Sequence, residues 1–65
     1  MNNDRMEGKW HQVKGKVKAE WNELTDDDLD ATEGRIEELA GKIQERYGIA
    51  KDKARERLNE INRSQ

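Results

Sequence analysis

Shifted by 26 residues, the chain falls on itself. Glu7-Gly8-Lys9-Trp10 lands on Glu33-Gly34-Arg35-Ile36, Val13 on Leu39, Gly15-Lys16-Val17 on Gly41-Lys42-Ile43, and Trp21 on Tyr47. An acid follows each long segment at the matching place, Asp26 in the first copy and Asp52 in the second. Such a repeat constrains a fold strongly, because each copy must be one supersecondary unit that cannot bury its apolar face alone. Two copies are too few for a solenoid. The expected architecture is therefore a single all-α domain over residues 1–65: four helices in two hairpins, packed crosswise around a shared core. The units run from about 7 to 32 and from 33 to 58, with a polar tail at 62–65.

Helix is the only regular structure the residue types favour. Pro is absent, β-branched residues are few, and Glu, Lys, Arg and Gln abound. In the first long segment Trp10, Val13, Val17, Trp21 and Leu24 recur every three or four residues, the spacing of one helix face. Thr25-Asp26-Asp27-Asp28 then reads as an N-cap followed by acids at the positive end of a new helix dipole, opening a short helix that carries Leu29. A third helix places Ile36, Leu39, Ala40, Ile43 and Tyr47 on one side. Gly48 stops it, since glycine suits the left-handed position after a helix end. A fourth aligns Ala50, Ala54, Leu58 and Ile61. The core expected from these stripes is Trp10, Val13, Val17, Trp21, Leu24, Leu29, Ile36, Leu39, Ile43, Tyr47, Leu58 and Ile61.

Composition decides how much else the chain can do. With 65 residues, 43% of them charged and 31% hydrophobic, only well-placed stripes can order it, and a deep substrate cavity has no room. The lack of Cys excludes disulfides, thiolate chemistry and cysteine zinc sites and suits a reducing compartment. The polar start Met1-Asn2-Asn3-Asp4-Arg5 is unlike a signal peptide, and no apolar run approaches the ~20 residues of a membrane span, so a cytoplasmic protein without integral membrane association is expected. The net charge of −2 conceals segregation. Residues 1–19 hold five Lys or Arg against two acids, residues 20–38 one against nine, and residues 39–65 seven against four, giving +3, −8 and +3. Flanks that attract the middle suit a compact fold, whereas a dedicated nucleic-acid module is more often basic throughout.

Beyond pattern, Glu7-Gly8-Lys9-Trp10, Lys14-Gly15-Lys16-Val17, Leu24-Thr25-Asp26-Asp27-Asp28-Leu29 and Gly41-Lys42-Ile43-Gln44-Glu45-Arg46-Tyr47-Gly48 stand at fixed spacing over most of the chain. In these segments residues 1 to about 53 closely resemble the CsbD-like family of small bacterial stress proteins. The resemblance implies a general-stress protein with a compact fold of two crossed hairpins and no catalytic residues.

Several residues still invite a chemical reading. Asp26, Asp28, Asp30, Thr32 and Glu37 match positions 1, 3, 5, 7 and 12 of a calcium-binding loop, but Ala31 stands where that loop needs Gly and Glu33 where it needs an apolar residue. Acids capping a helix explain the run better. Trp10 and Trp21, flanked by Lys9, Lys14 and Lys16, could stack on bases or anchor at a membrane interface, yet both lie on the core stripe, and Ile36 and Tyr47 take their places in the second copy. Gly8, Gly15, Gly34 and Gly41 fall opposite the stripe on a helical wheel. They are read as inherited weak points of the duplicated unit, with a smooth strip for a partner backbone as the alternative. His11 is the only histidine and is expected to face solvent, with no second His or Cys to complete a metal site. Neither Ser64 nor any Thr has a recognisable base beside it. Gly48-Ile49-Ala50 is similar to the turn of helix–hairpin–helix DNA binders, and Lys51, Lys53, Arg55 and Arg57 follow it as possible phosphate contacts. Together these readings predict a monomeric, non-enzymatic stress protein without cofactor or small-molecule substrate. It would act as a hydrophilic protectant or a weak macromolecular binder, its partner undefined; the alternative, disfavoured by the acidic middle, is a nucleic-acid-binding module using the basic C-terminal helix.

Overall fold

A computed structural model describes residues 9–64. Its regular structure is helical: α1 spans Trp10–Glu20, α2 Asp26–Thr32, α3 Ile36–Tyr47 and α4 Lys51–Arg63. The closest packing is between α3 and α4; α1 lies against α4, and α2 against α3.

The stripes turn inward as the 3.6-residue period requires. Val13 and Val17 of α1, Leu29 of α2, Ile36, Leu39, Ala40 and Ile43 of α3, and Ala54, Leu58 and Ile61 of α4 are buried in one cluster. Trp21 and Leu24 join them from outside any helix. The helix of the first stripe stops at Glu20, where Trp21 (φ −123°, ψ 74°) leaves helical geometry while its N–H still donates to the Val17 carbonyl. A tight turn follows, with the Leu24 N–H donating to the Trp21 carbonyl at 3.0 Å. That turn keeps both side chains pointing inward, so the spacing of the stripe persists after the helix has ended. Trp10 and Tyr47 are only half-buried, packed against the edge of the cluster with Ile49.

The short helix starts as the Thr-Asp-Asp-Asp run predicts. The Asp28 N–H donates to Thr25 Oγ1 at 3.1 Å and the Thr25 N–H to Asp28 Oδ2 at 3.2 Å, a reciprocal capping box. It ends through two consecutive left-handed residues, Glu33 (φ 55°) and Gly34 (φ 76°). Gly34 is therefore not inside a helix, contrary to its expected place on the helical wheel. It is a turn residue, buried beneath the Trp10 ring, and a Cβ there would lie 3.3 Å from Trp10 Cδ2. Glycine meets two needs here, a left-handed backbone and an indole in close approach. Gly15 and Gly41 do lie within helices, facing open space, and Gly8 falls outside the described residues. Gly48 (φ 68°) closes α3, its N–H donating to the Gln44 carbonyl.

Two substitutions probe this arrangement. Gly34→Ala places an L-residue in left-handed backbone, costing about 1–2 kcal/mol, with crowding of Trp10 in addition; at roughly 4–8 °C per kcal/mol in a domain this small, a fall in melting temperature of several degrees is expected by circular dichroism. Leu58, fully buried, should cost about 2–5 kcal/mol as Leu58→Ala. That is comparable to the ~3–5 kcal/mol a core of this size supplies, so urea titration should find the variant largely unfolded in plain buffer.

Candidate functional site

The densest concentration of chemically able side chains surrounds α2, where the acids of the middle segment meet cations from both flanks. Lys14 and Lys18 of α1 reach Asp30 and Asp26, each at 2.8 Å. Arg46 and Lys42 of α3 reach Asp28 at 3.1 and 4.0 Å. The Lys18 ammonium holds the Asp26 carboxyl below the usual carboxylate range. Asp28 is lowered chiefly by the Thr25 backbone N–H it accepts, then by Arg46 and Lys42. The hydrogen bond to Asp30 raises Lys14 above the ordinary lysine range.

The calcium pattern does not assemble as a loop, because Asp26, Asp28, Asp30 and Thr32 all belong to a helix. The Thr32 side chain is buried, its hydroxyl donating to the Leu29 carbonyl at 2.6 Å and accepting from the Gly34 N–H at 3.3 Å. Glu37 faces α4 instead, 3.3 Å from Lys51 Nζ and 2.9 Å from Arg55 Nε. Among the described residues no group of three or more His, Cys, Asp or Glu is placed to hold a metal ion.

The basic helix is likewise engaged inside the molecule. Arg57 donates from Nε and Nη2 to the two carboxylate oxygens of Glu20, at 2.6 and 2.7 Å, and from Nη1 to Glu60 at 3.1 Å. The fork geometry makes this the best-directed ion pair of α4. It lowers the Glu20 carboxyl and raises the guanidinium, each chiefly through their shared hydrogen bonds. Arg55 contacts Glu37 and Asp52, its Nε approaching Glu37 at an angle outside hydrogen-bond geometry. Of the four candidate phosphate contacts, Lys51, Arg55 and Arg57 thus face carboxylates, and Lys53 alone is exposed without an ion pair among the described residues.

Trp21 is buried, leaving Trp10 as the half-exposed indole, beside a surface depression it lines with Lys9, His11 and Gln12. The Lys9 ammonium donates to the Asn62 carbonyl at 2.8 Å, tying the start of α1 to the end of α4. His11 is exposed, and the Ser64 hydroxyl donates to the Ile61 carbonyl. Further depressions each follow one helix, Glu56, Asn59, Glu60 and Arg63 on α4 and Glu38, Gly41, Lys42, Gln44 and Glu45 on α3. No helix among the described residues is long and apolar enough to cross a membrane.

Sequence reasoning missed one contact here: the Glu23 N–H donates to the Tyr47 hydroxyl at 2.8 Å and Arg46 Nη1 to the Glu23 carbonyl at 3.3 Å, so the end of α3 satisfies the turn after α1. Period and spacing treat Tyr47 as an apolar body, and nothing local marks where its hydroxyl goes. The ionic pairing did have a signal, the +3, −8, +3 partition, although that fixes which segments attract and not which residues meet.

Comparison with known proteins places the chain among small bacterial proteins of matching length. It is 58% identical over 61 residues to a UPF0337 protein of Bordetella pertussis, covering 94% of this chain and 92% of that one. A UPF0337 protein of Pseudomonas aeruginosa is 48% identical over 62 residues, 95% of each chain. The UPF0337 protein YjbJ of Escherichia coli is 52% identical over 59 residues, 91% of this chain and 86% of its own. The profile described as CsbD-like matches residues 4–56, which span the capped α2, the Gly34 turn and the Gly48 stop, and on that match the chain belongs to the CsbD-like family.

Proposed function

We propose that this protein is a non-enzymatic stress-response protein of the bacterial cytoplasm, acting through a densely charged, hydrated surface. The observation that carries this reading is the use of its cations: Lys51, Arg55 and Arg57 face Glu37, Asp52, Glu20 and Glu60 instead of forming an open basic face. Charges of both signs interleave on the surface, an arrangement that keeps a protein dispersed at high concentration and gives a polyanion little to grip. Resemblance to the CsbD-like stress proteins supplies the biological setting. The same reading takes the molecule as a monomer and a single domain of two duplicated hairpins crossed over one core, an arrangement favoured by the packing of α1 on α4 and of α2 on α3, each contact joining one unit to the other.

The competing reading, a nucleic-acid module on α4, requires those cations to exchange carboxylate for phosphate. Anisotropy titration with duplex DNA separates the two. A protectant should show no complex tighter than the ordinary non-specific range of about 10⁻⁴–10⁻⁶ M at physiological salt, while a labile enzyme heated or dried beside it should retain activity in proportion to the protein added. Four phosphate contacts would instead give a sub-micromolar complex whose log affinity falls with log salt at a slope of about −3.6. Such a complex, weakened by Lys51→Gln, Lys53→Gln, Arg55→Gln and Arg57→Gln together, would displace the protectant reading.

A further inference from the structure

The four helices are not held in the same way. Helix α4 is 13 residues long and buries Ala54, Leu58 and Ile61. Helix α3 buries Ile36, Leu39, Ala40 and Ile43, and α1 buries Val13 and Val17. Helix α2 has seven residues and buries Leu29 and Thr32, the second of which spends its hydroxyl on local hydrogen bonds. Seven residues are well short of the ~12–15 at which an isolated helix becomes even marginal in water, so α2 persists only through what it touches. Besides burying Leu29 and Thr32, it meets α1 and α3 through ion pairs.

Three of its four carboxylates have cations from other elements. Asp26 meets Lys18 and Asp30 meets Lys14, both from α1. Asp28, with a side chain only 16% exposed, meets Arg46 and Lys42 from α3. Asp27 is exposed, and among the described residues no ion pair joins α2 to α4. The other members of these pairs are 20–60% exposed, so salt reaches the pairs easily, and each alone contributes little.

We propose that α2 is an ionic clasp, held across α1 and α3 by Asp26, Asp28 and Asp30, that opens ahead of the rest of the domain when ionic strength rises or pH falls into the carboxylate range. Opening uncovers Leu29 and the core face beneath it while the contact between α3 and α4 persists. The direction with pH follows from the carboxylates. Asp26 and Asp28 are held below their ordinary range, so their stabilisation is present at neutral pH and is lost as pH falls through that range, below about pH 4. The direction with salt follows from screening, whose length contracts from about 8 Å at 0.15 M to about 3 Å at 1 M.

Native-state amide hydrogen exchange on the full chain, read by NMR as protection factors, tests this residue by residue. Between 0.05 M and 1 M sodium chloride at pH 7, the amides of Leu29 to Thr32 should lose protection about tenfold while those of Ile43 and Leu58 change less than about twofold. A comparison of pH 6 with pH 3 at low salt should give the same ordering. The double variant Lys14→Gln and Lys18→Gln should show α2 already poorly protected at low salt, with most of its salt response gone. Parallel loss at Leu29, Ile43 and Leu58 would mean global unfolding and overturn the clasp. So would α2 amides indifferent to salt, or a double variant as salt-sensitive as the native chain.

Discussion

The contact between α3 and α4 is the one on which the remaining structure depends. Those two helices contribute seven of the twelve buried apolar side chains. They are joined by three residues, beginning at a glycine whose left-handed backbone lets α4 return along α3. A chain of 65 residues buries little surface, and its stability is a small difference between apolar burial and the conformational entropy lost on ordering. The first half then builds onto this pair. Val13 and Val17 close one side of the cluster, Trp21 and Leu24 enter from a turn, and Leu29 covers a further part.

Charge governs arrangement more than stability in such a molecule. Exposed ion pairs contribute little singly, so the pairs around α2 and α4 could not substitute for a missing core residue. They do discriminate between ways of packing the same apolar faces. With nine acids in residues 20–38 and an excess of cations on either side, a fold bringing the flanks together without the middle would set like charges against each other. In the observed arrangement Glu20 faces Arg57, Asp26 and Asp30 face α1, Asp28 faces α3, and Glu37 faces α4. The middle segment acts as the counter-charge of both flanks, which leaves few cations turned wholly outward.

How far the sequence discloses this depends on the physics of each feature. Helix ends governed by local chemistry were readable: Thr25 as a cap, because its hydroxyl needs only the amide three residues on, and Gly48 as a stop, because its backbone needs only a missing Cβ. The buried faces were readable from period. Features set by tertiary contact were not. Trp21 and Leu24 keep the spacing of a helix face although the helix stops at Glu20, since the turn that replaces it is held by Tyr47 and Arg46 from far along the chain. Gly34 fits a helical wheel as well as Gly15 does, and only the Trp10 ring above it and the left-handed backbone set it apart. Trp10 itself has the spacing of a core residue but sits at the rim, where a large indole is half covered. For the candidate site, the charge partition foretold which segments attract, while the identity of each pair had to await the fold.

The offset of 26 residues also sets α2 against the first part of α4, which is held differently. At that spacing Asp28 corresponds to Ala54 and Thr32 to Leu58. Ala54, Leu58 and Thr32 are buried, and the Asp28 side chain is largely so. Where α4 turns a methyl and an isobutyl group inward, α2 turns a carboxylate and a hydroxyl. Each polar group needs a partner once it leaves water: Thr32 finds the Leu29 carbonyl and the Gly34 amide, and Asp28 finds the Thr25 amide and the cations of α3. Apolar contacts are indifferent to pH and are weakened little by ordinary salt, whereas the partners of Asp28 are sensitive to both. Helix α4 thus adds its ion pairs to three buried apolar side chains while α2 leans more heavily on charge, so a change of solvent weighs more on α2 than on α4.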